Sequence, residues 1–432
     1  MKMMNRLLFL LAVLSLTLPV MGQRMSQTVL DSSGGRTVED LVTRALAQNG
    51  GILVGRLQVA AARGGLTQAR LKPNPSLEVS QATEVAGSQN NLMIGGSLPL
   101  ELYHRRDRRI EVAQSGIKMA ELDQAERERQ LRAELEMKFG EVLAALRNLQ
   151  VAEDLLDLNR RALDLTQTRA DQGAIPPLDA NLLRVEVNRI DALRSDLEGK
   201  LGVGVLELKS LVGMRPDEEL RLKGSLESLF VDADRGSALT RVLESRPDIL
   251  SARAAEQMAS AKLRQAETDA RPDASLSANY LRMDSSFDVN GLNAAGQLRP
   301  VQGIFHFLTV GVSITLPVRN KNQGAIETAV AQMEEAKRRR EYAELIVARE
   351  VSAALLAREK ALEGLRIFRE GVRGQASQNL EVVRRTYELG RTQLLDVIAE
   401  QRRFIDIEMG YTEALNRYYQ ATVRLKTVTG GQ

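Results

Sequence analysis

The chain has 432 residues with no cysteine and no tryptophan, and aromatic residues make up only 3% of it, which is unusual for a globular enzyme of this length. Its formal net charge is +3 at pH 7, and two of the positive charges, Lys2 and Arg6, lie at the start of the chain. The remainder is close to neutral, which argues against a nucleic-acid partner. Without cysteine there is no disulfide framework and no cysteine to carry a lipid, so we expect membrane attachment through folded structure.

The first residues have the pattern of a secretory signal. A basic start is followed by an apolar run from Leu7 to Val20 and by small residues near Gly22. The run is about 14 residues long, short of the roughly 20 that a bilayer-spanning helix needs, and no later segment comes closer. We therefore expect an exported protein with a signal peptide at 1–22 and an N-terminal segment at 23–36.

The rest of the chain carries one plan twice. A Leu-x-Gln-Ala segment at 66–69 recurs at 263–266, and each copy is followed by Pro-x-x-Ser-Leu, ending at Leu77 or Leu276. Later matches, such as Gly173 to Asp179 with Gly390 to Asp396, repeat the same order. Duplicated order of this kind indicates an internal structural repeat.

Three segments follow from this duplication. The first repeat is predicted at 37–212 and the second at 237–432, each with a helix, two short strands, a very long helix, a break and a return helix. The intervening stretch 213–236 contains Pro216, further glycines and mixed charges. We expect it to be a connector with little regular structure.

The long helices are the most distinctive predicted elements. The first is expected from about Tyr103 to Asp171 without an internal proline, and at ~1.5 Å per residue its length is on the order of 100 Å. Apolar residues recur at every seventh position, which favours packing side by side with other helices. The second is expected over 323–389, and the return helices are expected over 178–211 and 394–428.

Four short segments alternate between apolar and small polar residues, which is typical of strands. They are Ser76–Ser80, Asn91–Leu98, Ser275–Tyr280 and Val310–Leu316, with a longer loop between the strands of the second repeat. A membrane barrel around a wet lumen and a soluble half-buried sheet give the same pattern. Four strands are too few to close a barrel, whose smallest membrane forms have about eight, so oligomerisation would have to supply the rest.

These features together resemble the TolC family of outer-membrane efflux proteins. The resemblance is carried by the signal, the duplicated plan, the Pro-Asn-Pro-Ser-Leu segment that ends at Leu77, Arg246-Pro247-Asp248 at the start of the second repeat, and the Gly-to-Asp breaks. Single motifs are loose, but their order and duplication are specific. The similarity runs from about Thr37 to Gly430.

The resemblance implies a mainly α-helical fold with a membrane β-barrel portion. Three identical protomers would contribute four strands each to one twelve-stranded barrel, continued by a long α-helical tunnel into the periplasm. It also implies a location in the bacterial outer membrane in contact with lipid, a periplasmic adaptor, and an inner-membrane transporter of the resistance-nodulation-division type. The expected function is passive export of small solutes such as metal cations or drugs.

In the family, polar contacts near the two breaks hold the periplasmic mouth shut. The resemblance assigns this role to Asp179, Tyr387 and Asp396, since carboxylates at the narrow end of a threefold tunnel form a negative ring and tyrosine can hydrogen-bond to them. Both aspartates lie in the first turn of a return helix, where capping is an alternative role. Simple packing is the alternative for Tyr387.

The sequence departs from the family at two positions of this network. Thr392 stands where the family has an arginine, with Arg391 one position earlier, and Ala399 stands where it has a second aspartate. We keep Arg391 among the gate candidates. The candidates for contact with an adaptor at the hairpin tips are Gly173, Ile175, Pro176, Gly390 and Leu394.

No catalytic, cofactor or metal site is evident. The two histidines, His104 and His306, are not part of a spaced ligand cluster, and no nucleophile lies in a recognisable setting. Two other functions remain open at this point. One is a TolC-like channel for type I protein secretion, and the other is a periplasmic adaptor or scaffold of helical hairpins, which would need no strands facing lipid.

Overall fold

The computed structural model describes residues 25–31, 33–85, 89–228 and 239–430. The predicted signal peptide at 1–22 lies outside the described residues, as does the connector beyond 228. In the described part of the connector, 213–228, the chain forms no helix or strand, and Leu222 makes single parallel bridges to Leu30 and Arg36.

The described elements follow the predicted order. The helices are α1 (Met25–Val29), α2 (Val38–Gln48), α3 (Gly50–Arg70), α4 (Arg105–Asp171), α5 (Pro177–Val212), α6 (Leu239–Ser245), α7 (Pro247–Asp269), α8 (Gln323–Arg366), α9 (Arg373–Glu388) and α10 (Leu394–Val428). The strands are β1 (Ser76–Thr83), β2 (Asn90–Pro99), β3 (Asp273–Leu292) and β4 (Leu298–Thr315). Among the described helices, none combines the length and apolar character required to cross a bilayer.

The second long helix differs from the prediction. Residues 323–389 were expected to form one α-helix, but the π-helical turn Ile367–Val372 separates α8 from α9. Next to this turn, a methyl group added at Gly410 of α10 would lie 3.0 Å from the ring of Phe368, so the ring packs closely over that glycine. A π turn admits one extra residue into the helix, and nothing in the local sequence announces it.

The four strands form one antiparallel sheet in the order β1-β2-β3-β4. Within the described residues β1 pairs only with β2 and β4 only with β3, so both edges of the sheet are open. The sheet as a class was predicted, but β3 and β4 are much longer than expected. The loop predicted between them is mostly strand, and only 293–297 form the turn.

The two faces of the sheet differ in chemistry. Opposed residues in an antiparallel register share a face, so the pairing assigns each side chain to one of them. What we call the apolar face consists of Leu77, Val79, Ile94, Leu98, Leu276, Tyr280, Leu308, Val310, Val312 and Ile314, which are between 38% and 76% exposed. What we call the polar face consists of Ser76, Glu78, Ser80, Gly95, Ser97, Ser275, Ser277, Asn279, Thr309, Gly311 and Ser313.

The chain divides into two compact units, and each unit contains parts of both repeats. The first comprises the described residues of 25–49, 131–228 and 354–427. Its core packs α4, α5 and α10 together through Leu155, Leu156, Val187, Ile190 and Ile405, none more than 8% exposed. The predicted apolar seam with a seven-residue repeat is buried at Leu135, Val142, Leu149 and Leu156, which are at most 2% exposed, and half-buried at Leu163.

The second unit comprises the described residues of 50–130, 239–353 and 428–430 and contains the sheet. Its helical core joins Val242 and Ile249 to Val347 and Val351. Beside this core Arg246, only 2% exposed, pairs with Asp248 at 2.6 Å and with Glu350 at 3.0 Å. The Arg-Pro-Asp motif of the second repeat therefore fixes the start of α7 on α8, with Pro247 at the first helical position.

Candidate functional site at the hairpin breaks

The two long helical segments end in the same way, as the repeat predicts. Gly173 and Gly390 have φ values of 72° and 73°, the left-handed conformation that glycine adopts without strain. After α4, the Ala174 N–H donates to the Arg169 carbonyl at 2.9 Å, and after α9 the Arg391 N–H donates to the Thr386 carbonyl at 2.9 Å. Both ends are Schellman motifs, so these glycines set the position of each reversal.

The return helices begin differently in the two repeats. In α10 the Asp396 carboxylate accepts a hydrogen bond of 3.2 Å from the Gln393 N–H, which is one half of a capping box. In α5 the equivalent cap position is Pro176, which has no N–H to donate. Asp396 is therefore engaged in capping, while the carboxylate of Asp179 has no such backbone partner.

Tyr387 lies at the junction of the two hairpins. Its half-buried ring packs on a cluster formed by Leu183 of α5 and by Leu394 and Ile398 of α10. Burial raises the pKa of Tyr387 above its ordinary value, and the negative charge of Asp179 raises it further. Within the described part of the chain the Tyr387 hydroxyl makes no hydrogen bond, so the contact that one protomer shows for this residue is the packing of its ring.

The remaining candidates differ in their exposure. Ile175 is half-buried, and Pro176, Arg391 and Asp396 are exposed. Leu394 is only 5% exposed, because its side chain belongs to the apolar cluster that holds the tips together. Its neighbour Leu395, 53% exposed, presents an apolar side chain at the surface instead.

An ion pair with a buried carboxylate, which could not be predicted from the sequence, joins the two return helices farther from the breaks than this cluster. Glu186 of α5 is 0% exposed and accepts hydrogen bonds from Arg189 at 2.7 Å and from Arg402 of α10 at 2.8 Å. Burial by itself would raise the pKa of Glu186, but the two arginines outweigh it and hold the pKa below its ordinary value. The charged form is thus the stable one at this contact.

This pair predicts how the first unit responds to acid. The stabilisation is fully present above the ordinary glutamate pKa and is lost as the pH falls through the lowered value, below about pH 4. We expect Glu186→Gln to destabilise the protein at pH 7 by about 1–2 kcal/mol, since both arginines are partly exposed, and to make no difference in strong acid. Helical circular dichroism on heating at several pH values measures this.

The matched control for Glu186→Gln is Glu413→Gln on α10. Glu413 forms an ion pair with Arg417, but its side chain is 55% exposed. An exposed pair of this kind contributes little to stability. Equal effects of the two substitutions at pH 7 would contradict a special role for Glu186.

A second set of ion pairs joins α10 to α4 and to α9, the helix that follows the π turn. Glu408, 4% exposed, pairs with Arg147 of α4 at 3.1 Å and with Arg373 of α9 at 2.6 Å. Both guanidinium groups also lie over the ring of Tyr411, at 5.2 Å and 4.9 Å from its centre. The helices of the first unit are therefore held by charged contacts as well as by their apolar seam.

The candidate residues form a junction between helical hairpins, and none of them is arranged as a nucleophile with a base. In the second unit, the described sheet has two open edges and an exposed apolar face.

Comparison with known proteins agrees with this geometry. Residues 41–214 and 238–431 match the outer membrane efflux protein family. The cobalt-zinc-cadmium resistance protein CzcC of Cupriavidus metallidurans is 22% identical over 405 residues, which cover 93% of this chain and 91% of that protein.

Solved structures share the fold at low sequence identity. The CusC channel superposes with a TM-score of 0.76 at 19% identity, covering 94% of each chain. The open state of the MtrE outer membrane channel of Neisseria gonorrhoeae gives a TM-score of 0.74 at 19% identity, covering 91% of this chain and 89% of that one. Because the family match spans most of its length, the chain belongs to the outer membrane efflux protein family.

Proposed function

We propose that three copies of this chain form one exit duct of a tripartite efflux pump, through which solutes leave the periplasm passively. The observation that carries the proposal is the sheet with two open edges and one exposed apolar face. Backbone groups at an open edge have no partners in lipid, so such a sheet is stable there only when other chains close it.

The chemistry of the two faces supports the same arrangement. The apolar face would contact lipid, and the polar face, with its serines, glycines and Asn279, would line a wet lumen. Three protomers with four strands each give a barrel of twelve strands, above the minimum of about eight for membrane barrels. A soluble adaptor would have no use for an exposed apolar face of this extent.

The cargo is proposed from the relatives. CzcC is by its name a cobalt-zinc-cadmium resistance protein, and this chain matches nearly its whole length. We therefore favour divalent metal cations, with drugs as the second class of solute. In this proposal the duct performs no reaction, and selectivity belongs to an inner-membrane transporter of the resistance-nodulation-division type joined through a periplasmic adaptor.

The hairpin breaks are proposed as the periplasmic mouth. Asp179, Tyr387, Arg391 and Asp396 lie at or beside the breaks, and contacts between protomers at these residues would hold the mouth closed. Since Pro176 offers the Asp179 carboxylate no capping N–H within the described residues, Asp179 is the carboxylate best suited to such a contact. Gly173, Ile175, Pro176 and Gly390 are the proposed adaptor contacts, with Leu394 supporting them from inside.

The segment boundaries are proposed on the same basis. We assign the repeats to 37–212 and 237–432, with a connector at 213–236 and a signal peptide at 1–22. The two separate stretches that match the family, 41–214 and 238–431, support the division between the repeats.

The test is the assembly state of the full-length protein. We expect it to be extracted from outer membranes only by detergent, to migrate as a trimer in SDS until it is boiled, and to conduct ions in planar bilayers. A monomer that stays soluble in plain buffer would overturn the proposal.

A further inference from the structure

The polar face changes character near the turn of the β3–β4 hairpin. In the register, Met93 opposes Leu281, Leu281 opposes Phe307, and Met283 opposes Phe305. These residues continue the alternation that places Asn279 and Thr309 on the polar face, so they belong to that face. We call these five apolar residues the collar: Met93, Leu281, Met283, Phe305 and Phe307.

At the level of the collar, the apolar face becomes more polar. Beyond Tyr280 and Leu308, the next row of the apolar face consists of Gln81, Leu92, Arg282 and His306, and the row after it pairs Asp284 with Ile304. The Tyr280 hydroxyl and His306 Nδ1 lie 2.6 Å apart, and their rings are stacked at 5.9 Å. A tyrosine followed by rows that contain mostly charged and polar residues is typical of the boundary between the hydrocarbon and the water of a membrane.

The pairing of β3 with β4 keeps the same register from the polar face to the collar. The only shift in the β3–β4 register lies between Phe287 and Asn290, closer to the turn than any collar residue. A one-residue slip would be needed to move the collar to the other face, and the pairing contains none there. If the polar face lines the lumen, the collar lines it too.

Apolar side chains on a wet wall need a physical reason. Phe305 and Phe307 are 43% and 46% exposed in the single chain, and burying a phenylalanine fully is worth about 1.5–3 kcal/mol. Cross-strand pairs would stabilise the hairpin from either face, so they do not explain this side. A ring of apolar side chains inside a pore does restrict it, because water and hydrated solutes enter such a ring reluctantly.

We propose that the collar is a constriction at the outer end of the lumen, which slows the inward passage of bulky hydrophilic solutes. The inference rests on the proposed trimeric barrel, in which three copies of the collar face one another at the level where the lipid-facing band ends. Small solutes leaving the cell would still pass, whereas large polar molecules outside would be held back.

The experiment uses the fact that the chain has no cysteine of its own. Thr309→Cys places one thiol on the polar face, one row below Phe307 on the side away from the turn. Intact cells are treated with a small charged maleimide or with a maleimide carried on a bulky hydrophilic polymer. The polymer-linked reagent can reach this thiol only from outside. We expect Phe305→Ser with Phe307→Ser to raise the rate of polymer labelling about tenfold or more, and the small reagent to change less than about twofold.

The matched control is Ile304→Ser with Leu308→Ser, which removes apolar area from the same strand on the opposite face. It should leave polymer labelling unchanged once trimer yield is taken into account. If the double phenylalanine variant fails to assemble, Met93→Ser on β2 must accelerate polymer labelling in its place.

The outcomes separate the two proposals. Polymer labelling that stays unchanged in assembled collar variants overturns the collar while the duct stands. If even the small reagent fails to reach Cys at position 309 but labels Val310→Cys, the polar face does not line a lumen and the proposed barrel itself is wrong.

Discussion

Lysine at Val310 is expected to abolish assembly of the protein in the outer membrane. Val310 lies in the middle of the apolar face, opposite Ala278, and is 67% exposed in the single chain. A lysine at the centre of a barrel's lipid-facing band is unfavourable by about 2–4 kcal/mol, so a trimer would lose on the order of 10 kcal/mol. That is comparable with the whole stability of a typical folded protein, about 5–15 kcal/mol.

The control for Val310→Lys is Ser313→Lys on the same strand. Ser313 opposes Ser275 on the polar face, where a charged side chain can reach water in the lumen. We expect this variant to form heat-sensitive trimers in amounts close to those of the wild type, as judged by unboiled SDS gels of outer membranes. Normal trimer formation by Val310→Lys would show that the apolar face does not contact lipid.

The features that sequence predicted well are those with local causes. Gly173 and Gly390 determine the ends of the long helical segments because only glycine takes the left-handed cap conformation easily, and the observed ends at Asp171 and Glu388 lie within one residue of the predicted ones. The first long helix and both return helices were likewise placed to within two residues. Periodic apolar positions and helix caps depend on residues that are close together in the sequence, so they can be predicted from it.

The extended hairpin was missed for a physical reason. Prediction of strands relied on an apolar side alternating with a polar side, and this rule reverses at Leu281 and Phe307, where the apolar residues move to the other face. The segments 281–292 and 298–309 therefore read as irregular, although the backbone continues as strand. The reversal that concealed the strands is the same feature that defines the collar.

The charged contacts of the candidate site could not be predicted either. Glu186 and Arg402 are 216 positions apart, and nothing near either residue marks it as buried or paired. Asp179 and Asp396 occupy equivalent places in the repeats, so the sequence analysis predicted the same roles for both. They differ because Pro176 has no N–H to donate to the Asp179 carboxylate, whereas Gln393 donates its N–H to Asp396. Only the structure of the two caps shows this difference.

This difference leads to the second large expected effect, an opening of the duct by Asp179→Ala combined with Tyr387→Phe. The negative charge of Asp179 raises the pKa of Tyr387, and Tyr387 packs at the junction of the hairpins. If contacts made by this pair favour the closed mouth by about 1 kcal/mol, removing them shifts the ratio of open to closed channels about fivefold. Phenylalanine retains the packing of the ring, so the change tests the polar contact alone.

Single-channel recording of the trimer in planar bilayers measures this opening, with sensitivity of cells to large antibiotics as a second readout. Asp396→Ala with Tyr387→Phe is the matched control, because Asp396 is held by the Gln393 N–H at 3.2 Å. Its loss removes half of a cap, worth about 1 kcal/mol of helix stability, and should open the duct less than the loss of Asp179 does. If the Asp179 double variant has the conductance of the wild type, Asp179 and Tyr387 do not hold the mouth closed. If both double variants open the duct equally, Tyr387 alone holds it closed.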